Sequence, residues 1–138
     1  MPLPAHLPVP VKGVAAESLM DNWGAARNQG RRHEGIDIGA KRGTPVLSTT
    51  PGLIVDTADR GAGGKQVWVI GPGLSFHYYA HLDRIASLSR GDWVRPGTVL
   101  GRVGSTGNAP ASFPHLHYGI YLQGKGKGSV NPFPYLKP

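Results

Sequence analysis

The sequence predicts a mostly β domain, an antiparallel β-sandwich or barrel-like sheet with an irregular N-terminal segment. Three observations predict it. Apolar residues recur at every second position in short runs, the period of strands with one buried face. Turn residues punctuate those runs: 21 Gly and 13 Pro among 138 residues, gathered in "KRGTP", "RGAGG", "GPG", "SRGD" and "RPGT". No long segment carries the 3.6-residue period of an amphipathic helix. That much Gly and Pro approaches a disordered composition, but 39% apolar residues in alternating order argue for a turn-rich core instead.

Taken in order, residues 1 to about 13 are Pro-rich and read as an extended, partly mobile lead. The lead-in is bounded at residues 1–18, and one domain at 19–138. Residues 17–30, "ESLMDNWGAARNQG", read as irregular, with a helical turn at the start. Strands are expected at 35–39, 45–48, 52–58, 65–71, 74–81, 92–95, 98–103 and 115–122, each bounded by turn signals.

Composition narrows the function. Cysteine is absent, which excludes disulfides, thiol nucleophiles and Cys-based zinc sites. Any metal must be held by His and carboxylates. A net charge of +7 and a pI near 10.1 favour an anionic partner: nucleic acid, a membrane surface or a bacterial wall polymer. The basic residues are dispersed and no RNA-binding signature or recognition helix is present, so no nucleic-acid partner is expected. No run of 18 apolar residues offers a transmembrane segment. "MPLPAHLPVP" lacks the basic start and apolar stretch of a signal peptide. A monomer is expected.

Histidine clusters in three segments. In "RRHEGIDIGA", His33, Gly35 and Asp37 alternate with Glu34, Ile36 and Ile38. A strand would put the imidazole and the carboxylate on one face, with no side chain between them. In "SFHYYAHLDRI", strict alternation groups His77, Tyr79 and His81 against Phe76, Tyr78, Ala80 and Leu82. In "FPHLHYGIYL", His115, His117, Gly119 and Tyr121 face away from Leu116, Tyr118, Ile120 and Leu122. Catalytic zinc takes three His or carboxylate ligands and keeps one open position. His33 and Asp37 supply two, and a histidine of "HLH" the third. That leaves the other "HLH" histidine and His81 close by, not all bound to metal, and an unligated imidazole there can move protons near neutral pH. His6 reads as solvated, His77 as structural or surface, and Glu34 as no ligand.

The stretches "WGAARNQGRRHEGIDIGAKRGTPVLSTTPGLIV", "YYAHLDRI" and "GDWVRPGTVLGRVGSTGNAPASFPHLHYGI" resemble the lysostaphin-like (LytM-type) zinc metallopeptidases of bacterial cell walls. Order and spacing match from about residue 19 to 134. The hairpin "GDWVRPGTVLGRVGSTG" also looks like a lipoyl or biotinyl carrier domain, but Met1 and Met20 stand beside no Lys.

The resemblance implies His33, Asp37 and His117 as ligands of one Zn2+ per chain. It implies His115 as the catalytic base and His81 as the second unligated catalytic histidine, with roles that can be exchanged. It further implies a zinc-dependent endopeptidase acting on peptidoglycan, in an extracytoplasmic setting, periplasmic or secreted. The ligand set is complete, unlike that of degenerate relatives that activate amidases. A non-catalytic peptidoglycan-binding or amidase-activating module is the alternative. Some relatives use a Tyr upstream of the first His as a transition-state donor. Residues 21–32 hold none, which leaves Tyr79 and Tyr121 as candidates. Relatives cut pentaglycine bridges or D-Ala–meso-diaminopimelate cross-links. The absence of a wall-targeting domain leans this chain towards the direct cross-link and a Gram-negative periplasm.

Overall fold

The computed structural model describes residues 2–27 and 32–137. Among the described residues nine strands follow one another: β1 Ile36–Gly39, β2 Pro45–Leu47, β3 Gly52–Arg60, β4 Gly64–Ile70, β5 Phe76–Ile85, β6 Trp93–Val94, β7 Val99–Val103, β8 His115–Tyr121 and β9 Ser129–Val130. A 3-10 turn, Ala16–Ser18, precedes them and a short helix α1, Phe133–Leu136, follows. All strand pairs are antiparallel, in the order β1-β8-β5-β4-β3-β6, with β9 beside β8 and β2 joined through β7 to β5. The eight expected strands are present within a few residues. The two-residue β9 and the single-turn α1 are too short to leave a periodic signal.

Register decides which side chains meet. Ile36 and Ile38 lie opposite Tyr118 and Leu116, and all four are buried; Asp37 lies opposite His117 and Gly39 opposite His115. One face of the β1–β8 pair therefore belongs to the core and the other to the histidines. The core gathers Ile36, Val46, Ile54, Val67, Leu100 and Ile120 among others. Leu122, expected to extend the apolar back of β8, lies past the strand end and is exposed.

Strand β5 departs from strict alternation. Residues 76–80 pair with β8, while 82–85 pair with β7. The change of partner falls at His81, whose φ is +65°. Against β4, Tyr79 pairs with Val67 and Leu82 with Lys65, so β5 carries one extra residue there. Such a bulge bends a strand and re-aims a side chain. Tyr79 and His77 consequently point into the core with Tyr118 and Ile120, Tyr78 and Ala80 lie on the His117 face, and Leu82 returns to the core. The expected grouping of His77, Tyr79 and His81 on one face is thus corrected.

His77 is structural. Its Nε2 is 2.8 Å from Ser75 Oγ, which itself donates to the Pro72 carbonyl. Its Nδ1 is 2.8 Å from the Tyr118 hydroxyl, and Thr49 links that hydroxyl to Tyr79.

The Pro-rich lead is extended but tied down. Leu7 donates its N–H to the Tyr135 carbonyl at 2.8 Å, and Leu47 donates to Pro10. Leu7 and Val11 are buried in the core with Leu136, which replaces the expected mobility with packing. His6 is exposed.

Candidate metal centre and catalytic cleft

His33 sits just before β1, in a turn that packs against residues 22–26. The His33 N–H donates to the Ala25 carbonyl and the Gly24 N–H to the His33 carbonyl. Asn22 shapes the same corner. Its carbonyl accepts His33 Nδ1–H at 3.0 Å, its Oδ1 accepts the Asp37 N–H at 3.2 Å, and its Nδ2 reaches Asp37 Oδ2 at 3.4 Å. With its Nδ1 proton committed to Asn22, His33 turns the Nε2 lone pair inward.

That lone pair meets Asp37 Oδ1 at 3.0 Å and His117 Nδ1 at 3.0 Å; Asp37 Oδ1 and His117 Nδ1 are 3.3 Å apart. A lone pair and a carboxylate oxygen at this distance need a cation or a proton between them. Donor atoms around a tetrahedral zinc, with bonds of about 2.0–2.1 Å, stand roughly 3.3 Å apart. The three atoms fit that spacing and form a group able to hold a metal ion. Gly35 makes the approach possible: a Cβ there would lie 2.8 Å from His117 Nε2 and 2.5 Å from the Tyr118 carbonyl oxygen. Glu34 stands outside the group and accepts the Tyr121 hydroxyl at 3.3 Å.

Two further imidazoles border these atoms. His115 donates Nδ1–H to the Phe113 carbonyl at 2.8 Å and brings Nε2 to 3.7 Å from Asp37 Oδ1. His81 donates Nδ1–H to the Thr106 carbonyl at 2.8 Å, and its ring centroid is 4.9 Å from that of His115. Both carbonyls leave Nε2 as the free base. The Thr106 carbonyl is held in place because Thr106 Oγ1 donates to Leu82 and accepts from the Lys65 N–H. All five predicted residues therefore converge on one open cleft of about 800 Å³.

Electrostatics follow from burial. Burial acts most strongly on Asp37 and favours protonation, but the hydrogen bonds with His117 and His33 outweigh it and hold the carboxyl well below its usual range. Burial pushes His81 down to about 4, against the opposing pull of the Thr106 carbonyl, and lowers His117 as well. Burial thus favours the neutral form of His81 and His117 at pH 7, the form in which an imidazole can act as a base or bind a metal.

Tyr79 does not reach the cleft; its hydroxyl is buried against Thr49. Tyr121 lines the cleft, and so does Tyr78, which strict alternation had turned away. Tyr78 stacks on Trp68 at 4.3 Å and sets its ring edge-on to His117 at 5.6 Å. Phe113 stacks on His115 at 4.7 Å. Asn22 and Thr106 had no sequence signal, since their carbonyls, and the Asn22 amide that meets Asp37, come to the site only through the fold.

The model of Peptidase family M23 matches residues 31–132. The chain belongs to Peptidase family M23. It is similar to the L-Ala–D-Glu endopeptidase of Bacillus subtilis (strain 168), 37% identical over 139 residues covering 94% of this chain and 42% of that protein. Lysostaphin of Staphylococcus simulans is 33% identical over 111 residues, covering 78% of this chain and 22% of that protein. The chain thus spans less than half the length of these M23 relatives. Among solved structures, the catalytic domain of Staphylococcus simulans lysostaphin aligns with TM-score 0.78 at 29% identity, covering 89% of this chain and 96% of that one. The antiparallel β architecture is that of M23 catalytic domains.

Proposed function

We propose that this M23 domain is a zinc-dependent endopeptidase that hydrolyses peptide bonds in peptidoglycan stems or cross-links, outside the cytoplasm, as a monomer. The observation that carries the reading is the meeting of His33 Nε2, Asp37 Oδ1 and His117 Nδ1 within 3.3 Å, with His115 and His81 beside them. One Zn2+ held there would acidify a water and polarise the scissile carbonyl. The residues do the rest. His115 Nε2 accepts the nucleophile's proton, and His81 Nε2 shuttles a proton to the leaving amine, or the two exchange roles. Their Nδ1 protons stay on backbone carbonyls throughout, so each ring delivers through one atom. A non-catalytic wall-binding or amidase-activating module would need neither the full ligand set nor two aimed bases.

The test is digestion of purified sacculi by the zinc-loaded protein, with product masses read after treatment with and without chelator. Released stem-peptide or cross-link fragments that vanish on chelation are expected. Asp37→Ala should lose both zinc and hydrolysis. Full zinc occupancy and activity in that variant would refute the ligand assignment.

A further inference from the structure

The rim of the cleft is electrically uneven. Among the described residues that line it, the cationic side chains other than histidine are Arg27 and Arg32. An isolated antiparallel bridge pairs Ala26, the neighbour of Arg27, with Arg32. Arg32 Nη1 donates to the Gly24 carbonyl at 3.4 Å; Arg27 Nη1 donates to the Ala26 carbonyl at 3.3 Å. Arg27 Nη2 stands 3.6 Å from Asp37 Oδ2, with its side chain 40% exposed. A guanidinium presents five N–H donors in a planar fork matched to carboxylates. Among the described residues the rest of the rim is neutral, through Ala62, Gly63, Asn108, Ala109, Pro110 and Phe113. Among the described lining residues Glu34 is the acid outside the metal-binding group, and the Tyr121 hydroxyl is directed to it.

The placement matters more than the count. Arg27 reaches the outer oxygen of a metal-binding carboxylate, so an anion gripped by this pair would lie close to the bond being cut. A glycine cross-bridge has no charge there. A stem peptide does, in the free carboxylates of its D-glutamyl and diaminopimelyl residues. Resting on the endopeptidase reading above, we propose that Arg27 and Arg32 form a carboxylate-binding subsite, and that the substrate is an acidic stem peptide rather than a neutral glycine bridge. Both side chains are solvent-exposed in part, so little desolvation opposes binding. A single charge-assisted hydrogen bond in such a place corresponds to roughly tenfold or more in specificity.

The experiment compares kcat/KM of the zinc-loaded full chain on soluble cross-linked muropeptides. One carries free carboxylates; in two others the D-glutamyl or the diaminopimelyl carboxylate is amidated in turn. A pentaglycine peptide is the neutral control. At least one amidation should lower kcat/KM about tenfold. That discrimination should fall to near parity in Arg32→Gln or Arg27→Gln, and be partly kept in Arg32→Lys, with zinc content monitored throughout. Indifference of the wild-type enzyme to both amidations, or preference for pentaglycine, overturns the subsite and leaves the endopeptidase reading standing. So does discrimination that survives unchanged in both Gln variants. Cleavage of none of the peptides overturns the endopeptidase reading itself, and the subsite with it.

Discussion

The side chain that Gly35 lacks would sit 2.8 Å from Nε2 of His117, on the far edge of the ring whose Nδ1 faces His33 and Asp37. The absent methyl group thus sets the depth of the His117 ring. In Gly35→Ala, the Tyr118 carbonyl and the His117 ring must both yield, and the carbonyl belongs to a paired backbone. Overpacking of this kind costs about 1–3 kcal/mol. The variant should unfold at lower temperature and hold zinc more weakly. Thermal melts with metal titration check it; unchanged values for both would mean that β1 and β8 separate freely.

His115 and His81 are predicted to separate binding from turnover. Neither belongs to the three-atom group, so His115→Ala and His81→Ala should keep zinc. Each should lose turnover by roughly 10²–10⁴-fold, the usual contribution of a positioned acid or base. Near-normal hydrolysis by both variants, with zinc retained, would remove these imidazoles from the chemistry.

His77 makes stability depend on pH. Burial holds its pKa down to about 4 in the folded protein, against roughly 6.5 in an unfolded chain. Above pH 6.5 both states carry it neutral and nothing is gained or lost. As pH falls from 6.5 towards 4, the unfolded chain takes up the proton first, so stability is withdrawn. Between pH 7.5 and 5 the loss from this one group is about 2 kcal/mol. Urea midpoints should fall over that interval, and fall less steeply in His77→Gln. Parallel slopes in the two proteins would show that His77 accepts its proton in place.

The sequence made Asp37 and His117 legible as metal-binding candidates because β1 and β8 keep period 2 beside an unbroken apolar face. Ile36 and Ile38, then Leu116, Tyr118 and Ile120, force Asp37 and His117 outward. His81 was legible from the sequence as an imidazole able to move protons, and only the family resemblance implied a catalytic role for it. Alternation groups it with His77 and Tyr79, and the residue that reverses it is His81 itself, in a left-handed conformation that leaves no Gly in the text. Tyr78 was misplaced by the same bulge. Asn22 and Thr106 offer His33 and His81 backbone carbonyls, which every residue possesses, and the Asn22 amide meets Asp37 from 15 residues away, so neither composition nor periodicity marks them. The packing of the lead was hidden by its prolines, which report extended backbone but not the partner that Leu7 and Val11 find.

That packing bears on where such a domain can be cut. Leu7, Val11 and Leu136 share the core, yet all three fall outside the stretch 31–132 that the family model covers. Each buried aliphatic side chain is worth about 1.5–3 kcal/mol, and a whole small domain is stable by only about 5–15 kcal/mol. A fragment trimmed to the family bounds would keep His33, Asp37, His81, His115 and His117, lose Arg27 from the cleft rim and Asn22 from behind His33 and Asp37, and forfeit much of the margin that holds the rest in place. It would also lay bare the surfaces of Val46 and its neighbours, where Val11 is bridged to Val46, and invite aggregation. Catalytic identity and foldability therefore have different borders along this chain.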